Sequence, residues 1–197
     1  CRELIRIYDE DGGRESGYMR VKDGKTVRLV NHRHKRRSDV PINDPKLREM
    51  LMMRVHYRLR PMIHRAFQFD ASRMERHIVA CYDGESGGYF KQHRDNTTEG
   101  TAHRRFAVSI NLNAEEFEGG ELRFPEFGTR TYRPPTGGAV VFSCSLLHEA
   151  TAVTKGRRYA YLPFLYDDAA AALRQANNRF LGDGVGHYTP AGGSAGA

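Results

Sequence analysis

The spacing of apolar residues changes character near residue 74. Before it, Leu47, Leu51, Val55 and Leu59 recur every four positions, the repeat of one helical face. Asp44 is a natural cap for that helix and Pro45 suits its first turn. Pro61 should end or kink it, with a further helical piece to about Phe67. Earlier still, residues 18–21 and 26–30 flank Asp23-Gly24, which predicts a hairpin with a tight turn. After residue 74, short strand-like runs alternate with Gly, Pro and Asn: 74–82, 90–93, 105–112, 121–124, 130–133, 139–143, 149–152 and 157–166. Residues 167–181 read as an Ala-rich helix stopped near Gly182. The pattern predicts a mainly β fold with flanking helices, its strands in two facing antiparallel sheets, as in a jelly-roll or another sandwich.

At 197 residues, 39% of them hydrophobic, the chain suits one domain with its own core. We expect residues 1–182 to form it and the Gly/Ala-rich stretch 183–197 to be a flexible tail. No apolar run is long enough to span a bilayer. The first residue is Cys1 and not Met, so the sequence reads as an excised domain or a processed chain. Three cysteines, odd in number and far apart, do not suggest a disulfide framework, and a cytoplasmic setting is the simpler expectation. The net charge of +7 is concentrated at residues 32–37, His-Arg-His-Lys-Arg-Arg. Without interleaved aromatic residues or a nucleic-acid motif, nucleic acid is an unfavoured partner, and a solvated loop is the default reading.

One constellation carries chemistry. His93 and Asp95 are two residues apart, so on a strand both side chains point the same way. His148 and then Arg158 follow far downstream. Two imidazoles and a carboxylate can occupy one triangular face of an octahedral metal and leave the opposite face open, as expected of a non-haem Fe(II) oxygenase. An arginine behind them can pair bidentately with the carboxylate of a bound acid. Adjacent strand residues face opposite ways, so only one of Arg157 and Arg158 can reach such a pocket.

The flanking residues resemble a known family. Ala80-Cys81-Tyr82-Asp83-Gly84, with Gly87-Gly88-Tyr89-Phe90-Lys91-Gln92-His93-Arg94-Asp95-Asn96, resembles the first metal-ligand segment of the oxygen-sensing prolyl hydroxylases. Gly119-Gly120-Glu121-Leu122-Arg123-Phe124-Pro125 is similar to the Gly-Gly segment of prolyl 4-hydroxylases, and His148-Glu149-Ala150 through Lys155-Gly156-Arg157-Arg158-Tyr159 to their closing segment. Arg36-Arg37-Ser38 is similar to their entry region, so the likeness runs over residues 1–166. It implies a double-stranded β-helix, with His93, Asp95 and His148 as iron ligands and Arg158 on 2-oxoglutarate, with Arg157 as the other possibility. It further implies that Tyr82 helps hold 2-oxoglutarate. Tyr89 stands one place farther from the first ligand than a tyrosine found in several relatives, and Phe90 occupies that place. The cofactors implied are Fe(II), 2-oxoglutarate and O2, with ascorbate as a reductant. The partner implied is a peptide or protein whose proline is hydroxylated. A small-molecule hydroxylase on the same scaffold and a non-catalytic iron- or oxygen-sensing module remain open. Residues 12–37 and 96–103 are candidates for mobile segments closing over substrate, and Arg104 and Arg105 read as surface arginines unless they reach substrate.

Overall fold

A computed structural model describes residues 1–188 and places the polar constellation between two antiparallel sheets. The larger sheet runs Arg14–Glu15, Ser38–Pro41, Ile78–Asp83, Arg157–Tyr161, Phe106–Asn111, Phe164–Tyr166 and Arg73–Glu75, with Ala139–Ser143 also paired to Phe106–Asn111. The smaller runs Thr131–Tyr132, Leu122–Arg123, His148–Ala150, Tyr89–His93 and Lys35–Arg36. This is the expected double-stranded β-helix, mainly β with helices at its flank.

The larger sheet is covered on both faces, which explains why its strands read as nearly continuous apolar runs. On its outer face Val79, Cys81, Tyr159 and Tyr161 meet Leu4 and Tyr8 of helix Arg2–Asp11 and Leu47 of helix Pro45–Arg58. Phe106, Val108 and Leu165 meet Val55 and Ile63, the latter from helix Arg60–Phe67. On its inner face Ala107 and Phe164 pack with Leu122 of the smaller sheet and with Phe124 just past that strand. Full burial of one such Leu, Val or Phe contributes roughly 1.5–3 kcal/mol. Two inward positions of strand Phe106–Asn111 are polar instead, Ser109 and Asn111, and both are buried.

Local signals behave as read in several places. The Asp44 side chain accepts from the Lys46 N–H, and the helix breaks at Leu59 ahead of Pro61. Asp23 and Gly24 both have positive φ and close the hairpin of Tyr18–Lys22 with Lys25–Leu29. Asp167 caps helix Asp168–Ala176. Among the described residues no helix is long and apolar enough to cross a membrane.

Elsewhere the structure departs from the sequence pattern. The run 74–82 is two strands, broken at Arg76, whose φ of 68° no sheet tolerates. The run 157–166 also splits, at Leu162-Pro163, where proline cannot donate to the ladder. Helix Arg2–Asp11 was not anticipated: its N-cap makes no side-chain hydrogen bond, and only Leu4 and Tyr8 are buried. The basic run is a solvated turn only in part: His32 and Arg33 are exposed, whereas Lys35 and Arg37 are buried with Arg36 exposed between them, in strand alternation. Residues 96–103 form a packed turn and not a loose one. Thr98 and Thr101 cap one another, Gly100 abuts Thr26, and His103 is fully buried. Of the stretch 183–197, residues 189–197 lie outside the described residues. Tyr188 donates from its hydroxyl to the Gly100 carbonyl (2.6 Å), and its N–H donates to Asn178 Oδ1 (2.7 Å).

Candidate metal centre and acid-binding cavity

Strand register assembles the three ligand candidates. His148 lies directly opposite His93 in the smaller sheet, and Asp95 follows His93 just beyond the strand end. The Asp95 N–H donates to the Cys144 carbonyl (3.0 Å), and Asn96 Nδ2 donates to Ser145 Oγ (2.8 Å). Arg94 donates to the Ser145 carbonyl and to Glu126. These contacts tie the turn after the first histidine to the loop before the second.

Asp95 Oδ1 is 3.5 Å from His93 Nε2, and Asp95 Oδ2 is 3.4 Å from His148 Nε2. The donor atoms of all three residues lie within 4.8 Å of one another. Donors about 2.1 Å from one ion at octahedral angles would be about 3 Å apart, so only small adjustments are needed. Both imidazoles are oriented from behind. His93 Nδ1 faces the Lys91 carbonyl at 2.7 Å and His148 Nδ1 the Leu146 carbonyl at 3.0 Å, so each Nδ1 carries the proton and each Nε2 lone pair points inward. The Phe90 ring stacks on His93 with centroids 3.5 Å apart. Burial pushes the His93 imidazole down to about 4, which keeps it neutral and ligating near pH 7. Burial would raise the Asp95 carboxyl, but His148 and His93 outweigh it and hold the group well below the usual carboxylate range. The set therefore fits one divalent ion of the kind that takes two nitrogen donors and one oxygen.

A cavity of about 50 Å³ lies beside this triad, and Arg158 enters it. Arg158 is buried, paired in register with Tyr82. Its Nε donates to Asn111 Oδ1 (3.1 Å) and its Nη2 to Ser109 Oγ (2.9 Å). The two polar interruptions of strand Phe106–Asn111 thus hold this guanidinium by one edge. Arg157 points outward to Asp83, at 3.0 Å, so the register separates the two arginines. Gly119 and Gly120, both at positive φ, allow close packing here, where a Cβ on Gly120 would sit 2.7 Å from Val153 Cγ2 and 3.2 Å from Arg158 Cδ. Tyr82 is buried, and its hydroxyl accepts from Arg37 Nη1 (3.3 Å). Tyr89 does not line the cavity; its hydroxyl donates to the His32 carbonyl (2.7 Å).

Arg37, Ser109 and Asn111 line or support this cavity and were missed in the sequence. A signal existed for the last two, since Ser109 and Asn111 are polar at i and i+2 in an apolar strand. Arg37 forms a two-pronged pair with Asp39, both contacts 2.7 Å, with side chains 2% and 19% exposed. Lys35 donates to Ser16 Oγ (2.7 Å) and the Gly17 carbonyl (2.6 Å). Arg104 is no surface residue either: it is held by Glu75 at 2.9 Å and reaches the Asp95 carbonyl at 3.4 Å.

Burial alone would raise the Asp39 carboxyl, but Arg37, Lys35 and Arg76 outweigh it and bring the group down to about 2 from 3.8. A depressed carboxylate contributes stability that is present above its unfolded value and lost as pH falls through the folded one. We therefore expect about 2 kcal/mol from Asp39 to disappear between about pH 4 and pH 2. Urea unfolding of the wild type and Asp39→Asn across that range tests it. The gap between them should narrow on acidification, and a gap independent of pH would contradict the assignment.

Two imidazoles and a carboxylate so grouped beside a buried arginine, inside a double-stranded β-helix, are the arrangement expected of a non-haem Fe(II) oxygenase that uses a keto acid. Sequence comparison agrees. Residues 77–166 match the sequence model of the 2OG-Fe(II) oxygenase superfamily. A PKHD-type hydroxylase of Pseudomonas fluorescens is 34% identical over 91 residues, covering 42% of this chain and 39% of that protein. Another, from Shewanella frigidimarina, is 44% identical over 63 residues, covering 31% and 28%. The matches thus span about two fifths or less of the length of these relatives. Among solved structures, the fold is similar to a Trichoplax adhaerens prolyl hydroxylase in complex with a hypoxia inducible factor peptide fragment. That likeness has a TM-score of 0.66 at 18% identity and covers 87% of this chain and 78% of that one. A Pseudomonas putida prolyl-4-hydroxylase gives 0.58 at 18% identity, covering 84% and 82%. Residues 77–166 thus resemble the 2OG-Fe(II) oxygenase superfamily, and the fold is similar to that of prolyl hydroxylases. Fe(II), 2-oxoglutarate and O2, the cofactors this family implies, suit the donor set described above.

Proposed function

We propose that the protein is a 2-oxoglutarate- and Fe(II)-dependent dioxygenase that hydroxylates an unactivated C–H bond of a peptidyl proline. The observation that carries this reading is the register of His93 against His148, which sets both imidazoles and Asp95 beside a cavity entered by a buried arginine. Fe(II) held by His93, Asp95 and His148 would supply the redox chemistry by which O2 converts 2-oxoglutarate to succinate and CO2 and oxygenates the substrate carbon.

The chain's own residues do the rest. His93, Asp95 and His148 hold the metal and leave one face for cosubstrate and oxygen. Arg158 meets the distal carboxylate of 2-oxoglutarate, with Ser109 and Asn111 fixing its orientation and Tyr82 beside it. Phe90, Leu122 and Phe142 exclude water around the reacting atoms. Residues 1–182 constitute the catalytic domain in this reading. A cytoplasmic setting is supported by the three unpaired cysteines, two of them buried.

A peptide is favoured over a free amino acid because a second, wider groove of about 750 Å³ adjoins the triad and runs beneath the hairpin residues Tyr18 and Met19. The Trichoplax adhaerens prolyl hydroxylase, whose structure is a complex with a peptide fragment, supports the same choice. The test is succinate release under Fe(II) and 2-oxoglutarate against proline-containing peptides and free proline. The expected result is turnover with a peptide that gains the mass of one oxygen on proline. Turnover confined to free proline would move the assignment to small-molecule hydroxylation.

A further inference from the structure

Arg76 is the feature this reading does not use. It interrupts two strands of the larger sheet with a φ of 68°, a conformation that costs a non-glycine residue of order 1 kcal/mol and tends to persist where function requires it. Its side chain is only 25% exposed and lines both the inner cavity and the outer groove. A guanidinium has five N–H donors, and donors so placed are ordinarily matched by acceptors.

The neighbouring cations Arg37 and Arg104 are matched by acids, and Arg158 is held along one edge by two neutral acceptors and faces the cosubstrate with the other in the reading above. Arg37 grips Asp39 through two hydrogen bonds, Arg104 donates to Glu75, and Arg158 donates to Asn111 and Ser109. Arg76 makes no hydrogen bond among the described residues. Among the described residues its one ion pair is with Asp39 Oδ2 at 3.9 Å, an oxygen that already accepts from Arg37 Nη2 at 2.7 Å and from Ser16. Glu75 is committed to Arg104 and Arg174, and Asp95 faces the two imidazoles.

Arg76 and Arg104 also flank one ring. Their guanidinium carbons lie 5.0 and 4.2 Å from the centroid of Phe164, which itself lines the cavity. Burial, together with Arg37, pushes Arg76 down to about 10, still cationic at neutral pH. With Asp95 taken up by a metal, positive charge would be in excess at the mouth of the cavity, and no acidic side chain left unpaired among the described residues would offset it.

We propose that Arg76 binds a carboxylate carried by the substrate, so that this enzyme takes an anionic substrate whose acidic group lies beside the residue it hydroxylates. The proposal rests on the dioxygenase reading above and names its substrate class. The same chemistry is available from an Asp or Glu next to the target proline in a peptide, or from the α-carboxylate of a free amino acid.

The experiment uses matched probes: proline-containing peptides with Asp or Glu beside proline, their Asn or Gln counterparts, and free L-proline beside its amide. Wild type, Arg76→Gln and Arg76→Lys are compared by kcat/KM from succinate release. Anaerobic calorimetric binding to the Mn(II)-loaded protein gives a second readout independent of turnover. Charge-assisted hydrogen bonds of this kind are worth roughly a 10- to 100-fold preference for the acid member in wild type. Arg76→Gln should reduce the ratio to near one, and Arg76→Lys should restore part of it. The amide member of each pair reports any general damage from the substitution.

Preference among peptides alone assigns an in-chain acid; preference for proline over its amide assigns an α-carboxylate. Equal binding and turnover of acid and amide members by wild type overturns the proposal, as does binding of neither. An acid preference that survives Arg76→Gln overturns it as well. A shift in the 2-oxoglutarate requirement with no change in the acid/amide ratio would reassign Arg76 to the cosubstrate. If acid members bind preferentially through Arg76 yet no succinate forms, the dioxygenase reading fails while the carboxylate site stands.

Discussion

Asp95→Ala is expected to abolish substrate-coupled succinate formation and to weaken Fe(II) binding by more than about 100-fold. Loss of an outer-shell partner alone costs roughly 10- to 100-fold in metal affinity, and Asp95 is the one anionic donor of its set. No nearby acid can take over, because Asp39 is engaged by Arg37 and Glu75 by Arg104 and Arg174. The fold should survive, since Asp95 is anchored through its backbone: its N–H donates to Cys144 and its carbonyl accepts from Arg104. Metal competition against a chromophoric chelator measures the affinity, and thermal unfolding checks the fold. Unchanged turnover would remove Asp95 from the ligand set.

Arg158→Ala should raise the 2-oxoglutarate concentration for half-maximal turnover by roughly 100-fold, the equivalent of about 2.7 kcal/mol for a charge-assisted pair inside the protein. Fe(II) affinity should change far less, because Arg158 donates to Ser109 and Asn111 and contacts none of the three ligands. Arg157→Ala serves as the contrast. That side chain is 54% exposed on the opposite face of the strand and pairs with Asp83, so its removal should leave the requirement where it was. The reverse order of effects would transfer the carboxylate contact to Arg157.

What could be read in the sequence, and what could not, follows from how local each signal is. His93 and Asp95 declare themselves as candidates by their two-residue spacing, although Asp95 lies in the turn just past the strand that ends at His93 and not on the strand itself, and the motifs around His148 and Arg158 completed the set. Choosing Arg158 over Arg157 needed only strand alternation once the inner face was known. The hairpin at Asp23-Gly24 and the Asp44 cap are equally local. Arg37 was hidden because its importance depends on pairing across distant parts of the chain. Ser38 lies opposite Cys81, and that register alone brings Arg37 to the Tyr82 hydroxyl. Its basic neighbours made the stretch look solvated. Arg76 was hidden for a different reason, since no Gly, Asn or Pro marks the positive φ that breaks its strand. The first helix carries few apolar residues and no side-chain cap, so its stability comes from docking on Val40 and Tyr159.

Visible absorption during anaerobic titration of the protein with Fe(II) and then 2-oxoglutarate tests the central claim most directly, because it reports chelation without requiring the right substrate. The expected result is a charge-transfer band that appears only when both are present, is absent in Asp95→Ala, and needs far more 2-oxoglutarate in Arg158→Ala. A protein that binds Fe(II) but gives no band at saturating 2-oxoglutarate, or a band that survives Asp95→Ala unchanged, would contradict it.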